Sequence, residues 1–361
     1  MQIKKLTLKN FRNYESEEFS FSEGLNVLFG RNAQGKTNCA EAVFYLCTGS
    51  SLRIKHDKQL ILTGAECARI SAVCSNRYGD VFIEADIREN SREIRINGNK
   101  ISKNADLLGN VNSVFFSPGE LRLIQDGPDE RRRFLNLSIS QLSKGYYTAL
   151  LRYNKILEQR NTLLKNRDTE LVLETLPVWD EQLCLYAARI IESRKNYVEL
   201  LSPLAAESHA YLTDGKETLS VGLDRAYQGG EVEIAKRLKR EMENAYEKDL
   251  RLGFTTVGPH RDDLKIFIDE KEAKGYASQG QARTAALSLK LAELEIFKTR
   301  AGEYPVLILD DVMSELDLPR RKKLVAKLQG IQTLITCTHA ERVLYGKDCN
   351  KIKISGGKII R

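Results

Sequence analysis

Residues 30–37 read Gly30-Arg31-Asn32-Ala33-Gln34-Gly35-Lys36-Thr37, the complete G-x-x-x-x-G-K-T pattern, and this segment restricts the fold more than any other. Such a loop needs a buried strand before it and a helix after it. Leu25 to Phe29 (LNVLF) is a mostly apolar run of strand length that stops at Gly30. Asn38 to Cys47 follow with helical spacing. The glycines let the chain bend until several backbone N–H groups point at one anion, and the next helix turns its positive end to the same place. Lys36 then reaches the β- and γ-phosphates of a nucleotide such as ATP, and the Thr37 hydroxyl is set to ligate Mg²⁺.

A loop of this kind needs a distant acid. Val306 to Leu309 are four consecutive apolar residues, and Asp310-Asp311 follow at the strand's C-terminal end. Open α/β sheets bind ligands at that end. Asp310 is the candidate Mg²⁺ partner, through water, and Asp311 the group that polarises the attacking water.

The length of 361 residues fits two domains, or one with a large insertion. Residues 1–127 read as strands with short helices, including strands at 81–87 and 92–96 with an Asn97-Gly98 turn behind the second. From Pro128 to Leu252 the chain reads as helix, punctuated by Pro177 and Pro203. After Gly253 strand patterns return: Leu264, Ile266 and Ile268 alternate, a helix spans Gly280 to about Arg300, TLITC (333–337) forms a strand, and the tail turns at Gly356-Gly357. The expected organisation is a head, 1–127 with 253–361, carrying an inserted helical arm, 128–252. No apolar run approaches the ~20 residues of a membrane span, and no secretory leader is visible, which points to a cytoplasmic protein. Seven scattered cysteines without a C-x-x-C pair read as reduced core residues.

Three further segments narrow the choice among nucleotide-binding proteins. Ala277-Ser278-Gln279-Gly280-Gln281 precedes a long helix and resembles the signature motif of ATP-binding-cassette (ABC) ATPases. Ser314-Glu315-Leu316-Asp317 resembles their D-loop, and His339, after TLITCT, stands where their switch histidine does. Within that class the chain resembles the bacterial RecF family of recombination mediators from end to end. The resemblance is carried by Leu8-Lys9-Asn10-Phe11-Arg12-Asn13-Tyr14, the loop with Asn38, Phe116-Ser117-Pro118, Pro128 with Arg131-Arg132-Arg133-Phe134-Leu135, Gly258-Pro259-His260-Arg261-Asp262-Asp263, and Asp310-Asp311. The Mg²⁺-binding Gln usual in cassette ATPases has no clear counterpart. Its region reads Ser117-Pro118-Gly119-Glu120-Leu121, with Gln125 nearby.

The resemblance implies an α/β fold: an ABC-type P-loop head with a mixed sheet and an inserted helical arm. It implies a weak ATPase, stimulated by DNA, that acts as a switch with ATP and Mg²⁺. Two heads would pair head-to-tail, with Ser278, Gly280 and Gln281 completing the site of the partner's Lys36 while His339 contacts the γ-phosphate in its own subunit. It also implies binding to single-stranded, double-stranded and junction DNA, and work with a ring-shaped mediator and a recombinase in gap repair, replication-fork recovery and the SOS response. The formal net charge of +7 permits an anionic partner. Candidate DNA contacts are Lys236, Arg237, Lys239 and Arg240, and Arg152, Lys155 and Arg160 with Tyr146, Tyr147 and Tyr153, although such runs are often solvated helix faces. The alternative reading, the ATPase subunit of a membrane transporter, conflicts with the long helical stretch between Lys36 and Ser278.

Overall fold

The computed structural model describes residues 1–166, 169–340 and 349–360. Along the chain come β1 (Gln2–Phe11), β2 (Tyr14–Ser20), β3 (Leu25–Phe29), α1 (Lys36–Thr48), β4 (Cys67–Asn76), β5 (Gly79–Arg88), β6 (Arg92–Ile96), β7 (Asn99–Lys100) and β8 (Ser113–Phe116). Helices α2 (Arg122–Gln125), α3 (Pro128–Leu142), α4 (Lys144–Leu163) and α5 (Thr169–Thr213) follow, then β9 (Leu219–Leu223), α6 (Glu231–Asn244) and α7 (Tyr246–Leu252). The remainder is β10 (Leu264–Ile268), β11 (Lys271–Glu272), α8 (Ala273–Tyr276), α9 (Gln279–Ala301), β12 (Val306–Asp310), α10 (Leu318–Lys327), β13 (Thr333–Cys337), β14 (Asn350–Ser355) and β15 (Lys358–Ile360). The chain forms two compact units, Met1–Leu121 with Ser208–Lys216 and Ala286–Arg361, and Arg122–Glu207 with Glu217–Ala285.

The first unit holds two sheets. One has the order β15-β14-β3-β13-β12-β8, parallel except for the antiparallel edge strand β15. This is the mixed sheet of the expected α/β head. Its strands β12 and β13 are buried at every position, which is why they read as unbroken apolar runs. The other sheet, β2-β1-β4-β5-β6-β7, is antiparallel and alternates. Its pattern slips once, where a register shift between Ile3 and Lys5 leaves both Lys4 and Lys5 exposed. Asn97 and Gly98 join β6 to β7 with φ of +50° and +80°, the two positive values a type I′ turn requires. Helix α1 touches β8, β12 and β13 of the first sheet and β4 and β5 of the second. It is buried along most of its length, so it is apolar nearly all round.

The second unit departs from the sequence reading in two ways. Helix α5 runs unbroken through Pro177 and Pro203, because both prolines are on its exposed side, where water replaces the hydrogen bond each ring forfeits. The stretch read as nearly all helix also contains β9, which pairs antiparallel with β10 in the sheet β11-β10-β9. Leu219 and Val221 are buried while Ser220 is exposed, a period of two too short to stand out among helix formers.

The interior of this unit is strongly polar. Arg160, fully buried, donates to Asp180 Oδ1 at 2.6 Å, Asp249 Oδ2 at 2.8 Å and Thr255 Oγ1 at 2.9 Å. Arg194 donates to Asp262 Oδ2 at 3.0 Å and to the Pro259 carbonyl at 2.6 Å. Arg131 grips Asp263 through two bonds of 2.6 and 3.0 Å. Gly258-Pro259-His260-Arg261-Asp262-Asp263 is thus largely a framework segment. Gly258 needs its φ of +128°, and a Cβ there would come within 2.5 Å of the Tyr153 hydroxyl. These contacts correct the surface reading of Arg160, Tyr146 and Tyr153, which are buried; Arg152 and Lys155 are exposed. Among the cysteines, Cys67 is exposed rather than core.

Candidate functional site

Four parallel strands of the first unit end side by side, and each delivers something. Cys337 pairs with Phe29, Thr336 with Leu28 and with Asp310, and Leu309 with Phe116. The phosphate loop after β3, Asp310-Asp311 after β12, Thr338-His339 after β13 and Ser117 after β8 therefore share the sheet's C-terminal edge.

The loop adopts the strained backbone its glycines allow. Gly30 and Gly35 have φ of +149° and +116°, and Ala33 sits at +62°. Gly35 is the N-cap of α1, so the positive end of a buried helix opens into the loop. Arg31, Asn32 and Ala33 form its exposed crown, whereas Lys36 is buried. Lys36 Nζ donates to the carbonyls of Gly30 at 2.8 Å and Arg31 at 2.7 Å. Burial pulls its pKa below the ordinary lysine value, while Asp311, Cys337 and Asp310 oppose that shift.

Thr37 Oγ1 donates to Asp310 Oδ1 at 2.8 Å, and Thr336 Oγ1 donates to the same oxygen at 2.7 Å. The residues fit Mg²⁺ with Thr37 as a direct ligand and Asp310 acting through water: the hydroxyl gives its proton to the acid at 2.8 Å and keeps its lone pairs for the ion. Thr336 was missed in the sequence; its only signal was a polar residue at the end of an apolar strand. Asp311 is exposed, with φ of +56°, and its N–H donates to Thr336 Oγ1 at 3.0 Å. Ser314 donates to the Asp311 carbonyl at 2.8 Å, and Asp317 caps α10 through the Arg320 N–H at 2.9 Å. His339 is exposed just beyond β13.

Ser278, Gly280 and Gln281 belong to the second unit and form their own arrangement. Ser278 Oγ accepts the Gln281 N–H at 3.2 Å, and Gln281 Oε1 accepts the Ser278 N–H at 3.0 Å. This reciprocal box caps α9. It uses a lone pair of the Ser278 oxygen and leaves the hydroxyl proton available to an anion. Ser278 and Gly280 are exposed. The region of the missing glutamine, Ser117–Leu121, places Glu120 at 3.6 Å from the buried Lys290 of α9, and Gln125 is exposed at the end of α2.

Residues 2–359 match the family RecF/RecN/SMC N terminal domain. A DNA replication and repair protein RecF from Ruminiclostridium cellulolyticum is 40% identical over 368 residues, covering 99% of both chains. The chain belongs to the RecF family. Another RecF-family relative, from Alkaliphilus oremlandii, is 43% identical over 94% of each chain. Among solved structures, the recombination mediator protein RecF-ATPrS in the RecFOR pathway superposes with a TM-score of 0.91 at 38% identity, covering 99% of this chain and 97% of that one. An Smc head bound to the C-winged helix domain of ScpA, at 17% identity and a TM-score of 0.59, shares the fold. RecF-family membership makes this an ABC-type ATPase-fold protein of DNA replication and repair. Nothing supports the transporter reading, and among the described residues no helix is long and apolar enough to cross a membrane.

Proposed function

We propose that the chain is an ATP-driven switch that binds DNA during recombinational repair and replication-fork recovery. The observation that carries this reading is the joining of the phosphate loop to Asp310 through the Thr37 hydroxyl, 2.8 Å from the acid. Lys36 and the loop N–H groups bind the β- and γ-phosphates, exchanging the carbonyls of Gly30 and Arg31 for phosphate oxygens. Thr37 and Asp310 hold Mg²⁺, which supplies charge neutralisation when bound. Asp311 accepts a proton from the attacking water, and His339 donates to the γ-phosphate. Ser278, Gly280 and the capped N-terminus of α9 offer donors to the nucleotide of a second copy, so that ATP joins two chains head-to-tail. Slow hydrolysis, stimulated by DNA, then releases them. The DNA partners are single strands, duplexes and junctions, read through phosphates with little base preference. A ring-shaped mediator and a recombinase act downstream in the cytoplasm, including under the SOS response.

The test measures binding to gapped, duplex and single-stranded DNA with and without ATP, alongside light scattering. ATP should raise both DNA affinity and particle mass in the wild type. Ser278→Arg should still bind ATP but stay monomeric. DNA binding indifferent to ATP, or dimerisation of Ser278→Arg at wild-type ATP concentrations, contradicts the switch.

A further inference from the structure

Two hairpins distant in sequence meet at the phosphate loop. The tip of β1–β2 contributes Asn13 and Tyr14; the tip of β14–β15 contributes Gly356 and Gly357. Asn13 Nδ2 donates to the Gln34 carbonyl at 3.0 Å, and the Gly357 N–H donates to the same oxygen at 3.0 Å. The Gly356 N–H donates to Gln34 Oε1 at 2.6 Å. The Tyr14 hydroxyl donates to the Gly35 carbonyl at 2.8 Å. The fit is tight: a Cβ on Gly357 would come within 2.1 Å of the Asn13 carbonyl oxygen, and one on Gly30 within 2.2 Å of the Ile354 oxygen. Away from the tips the hairpins part, leaving a groove of about 660 Å³ lined by Lys9, Ser16, Lys351 and Ile359.

A trans peptide places its C=O and the next N–H on opposite sides. Fixing the Gln34 carbonyl toward Asn13 and Gly357 turns the Gly35 N–H the other way, into the loop. The Gly35 carbonyl, held by the Tyr14 hydroxyl together with the Cys39 N–H of α1 at 3.0 Å, turns the Lys36 N–H the same way. We infer that Asn13, Tyr14 and the Gly356-Gly357 tip are positioning residues, a two-sided clamp that pre-orients the loop N–H groups toward the nucleotide's phosphates. The clamp rests on the reading that this loop binds ATP. Burial holds the Tyr14 phenol protonated, so it remains a donor across the working pH range.

Calorimetric titration with Mg-ATP, together with steady-state turnover, tests the clamp in the full chain. Asn13→Ala should weaken ATP binding about tenfold, as expected for losing preorganised hydrogen bonds. KM should rise while kcat at saturating ATP stays within about twofold. Tyr14→Phe keeps the ring and removes one donor, so a loss of about threefold is expected. It serves as the second variant should Asn13→Ala fold poorly. Gly357→Ala should match or exceed Asn13→Ala. Wild-type affinity in folded Asn13→Ala and Tyr14→Phe overturns the clamp. Lys36→Ala is the separate control: if it too binds ATP like wild type, the nucleotide site itself is wrong, whereas loss in Lys36→Ala alone rejects only the clamp.

Discussion

The phosphate loop and the polar interior of the second unit both gather charges in confined places, yet they handle them in opposite ways. In the second unit every buried arginine described above meets a carboxylate of its own unit: Arg160 with Asp180 and Asp249, Arg194 with Asp262, Arg131 with Asp263. At the loop, Lys36 donates to the neutral carbonyls of Gly30 and Arg31, and Asp311 stands exposed. Charges neutralised internally build a framework. Charges held by weaker, exchangeable partners are available to a ligand. A motif rich in charged residues can therefore serve either end, and only the partners decide which.

The sharpest way to break this contrast is Arg160→Met. Removing the guanidinium leaves the carboxylates of Asp180 and Asp249 buried with one partner fewer, which costs about 3–5 kcal/mol. Chemical denaturation of the variant measures it. A loss below about 1 kcal/mol would mean the second unit's charges are no more committed than those of the loop.

Next in size is Asp311→Asn. The carboxylate would no longer accept a proton from water, so turnover should fall about 100-fold or more. ATP affinity should change little, because Lys36, Thr37 and Asp310 remain. Single-turnover phosphate release with a parallel binding titration separates the two. Unchanged turnover would assign the water to another group.

A smaller effect follows from His260, which sits in the framework motif. Its Nδ1 meets the Tyr153 hydroxyl at 2.5 Å and its Nε2 the Thr255 carbonyl at 3.0 Å. Burial pulls its pKa from 6.5 to about 4. The folded state keeps the ring neutral, while the unfolded chain takes up a proton. The stability this contributes is full above pH 6.5 and is lost as pH falls through about 4. Partial exposure trims the total to roughly 2–3 kcal/mol. His260→Gln should flatten this part of the stability–pH curve, measured by denaturation between those limits. An unchanged slope would remove His260 as its source.

The sequence made the loop legible because G-x-x-x-x-G-K-T specifies a backbone, and made Asp310 legible because four buried apolar residues lead to it. It carried little sign of the clamp. Asn13 and Gly357 are joined only by tertiary folding, and a Gly-Gly pair reads locally as a hairpin turn. Arg160 was misjudged for a related reason: an arginine on a helix looks solvent-facing until Asp180 and Asp249 are known to close over it. The unbroken course of α5 through two prolines depends on which side faces water, which local propensity does not report. Ser278 and Gln281 were recognised by motif, yet their reciprocal capping appears only in three dimensions.

The most direct test of the contrast is thermal unfolding with and without Mg-ATP for the wild type, Lys36→Ala and Arg160→Met. At ATP near 100 times Kd, binding should stabilise the wild type by about 2.7 kcal/mol. Lys36→Ala should melt near the nucleotide-free wild type and gain almost nothing from ATP. Arg160→Met should melt far lower yet keep a similar ATP-dependent gain. A full gain in Lys36→Ala, or a stable Arg160→Met that no longer responds to ATP, would contradict the division between framework charges and ligand-binding charges.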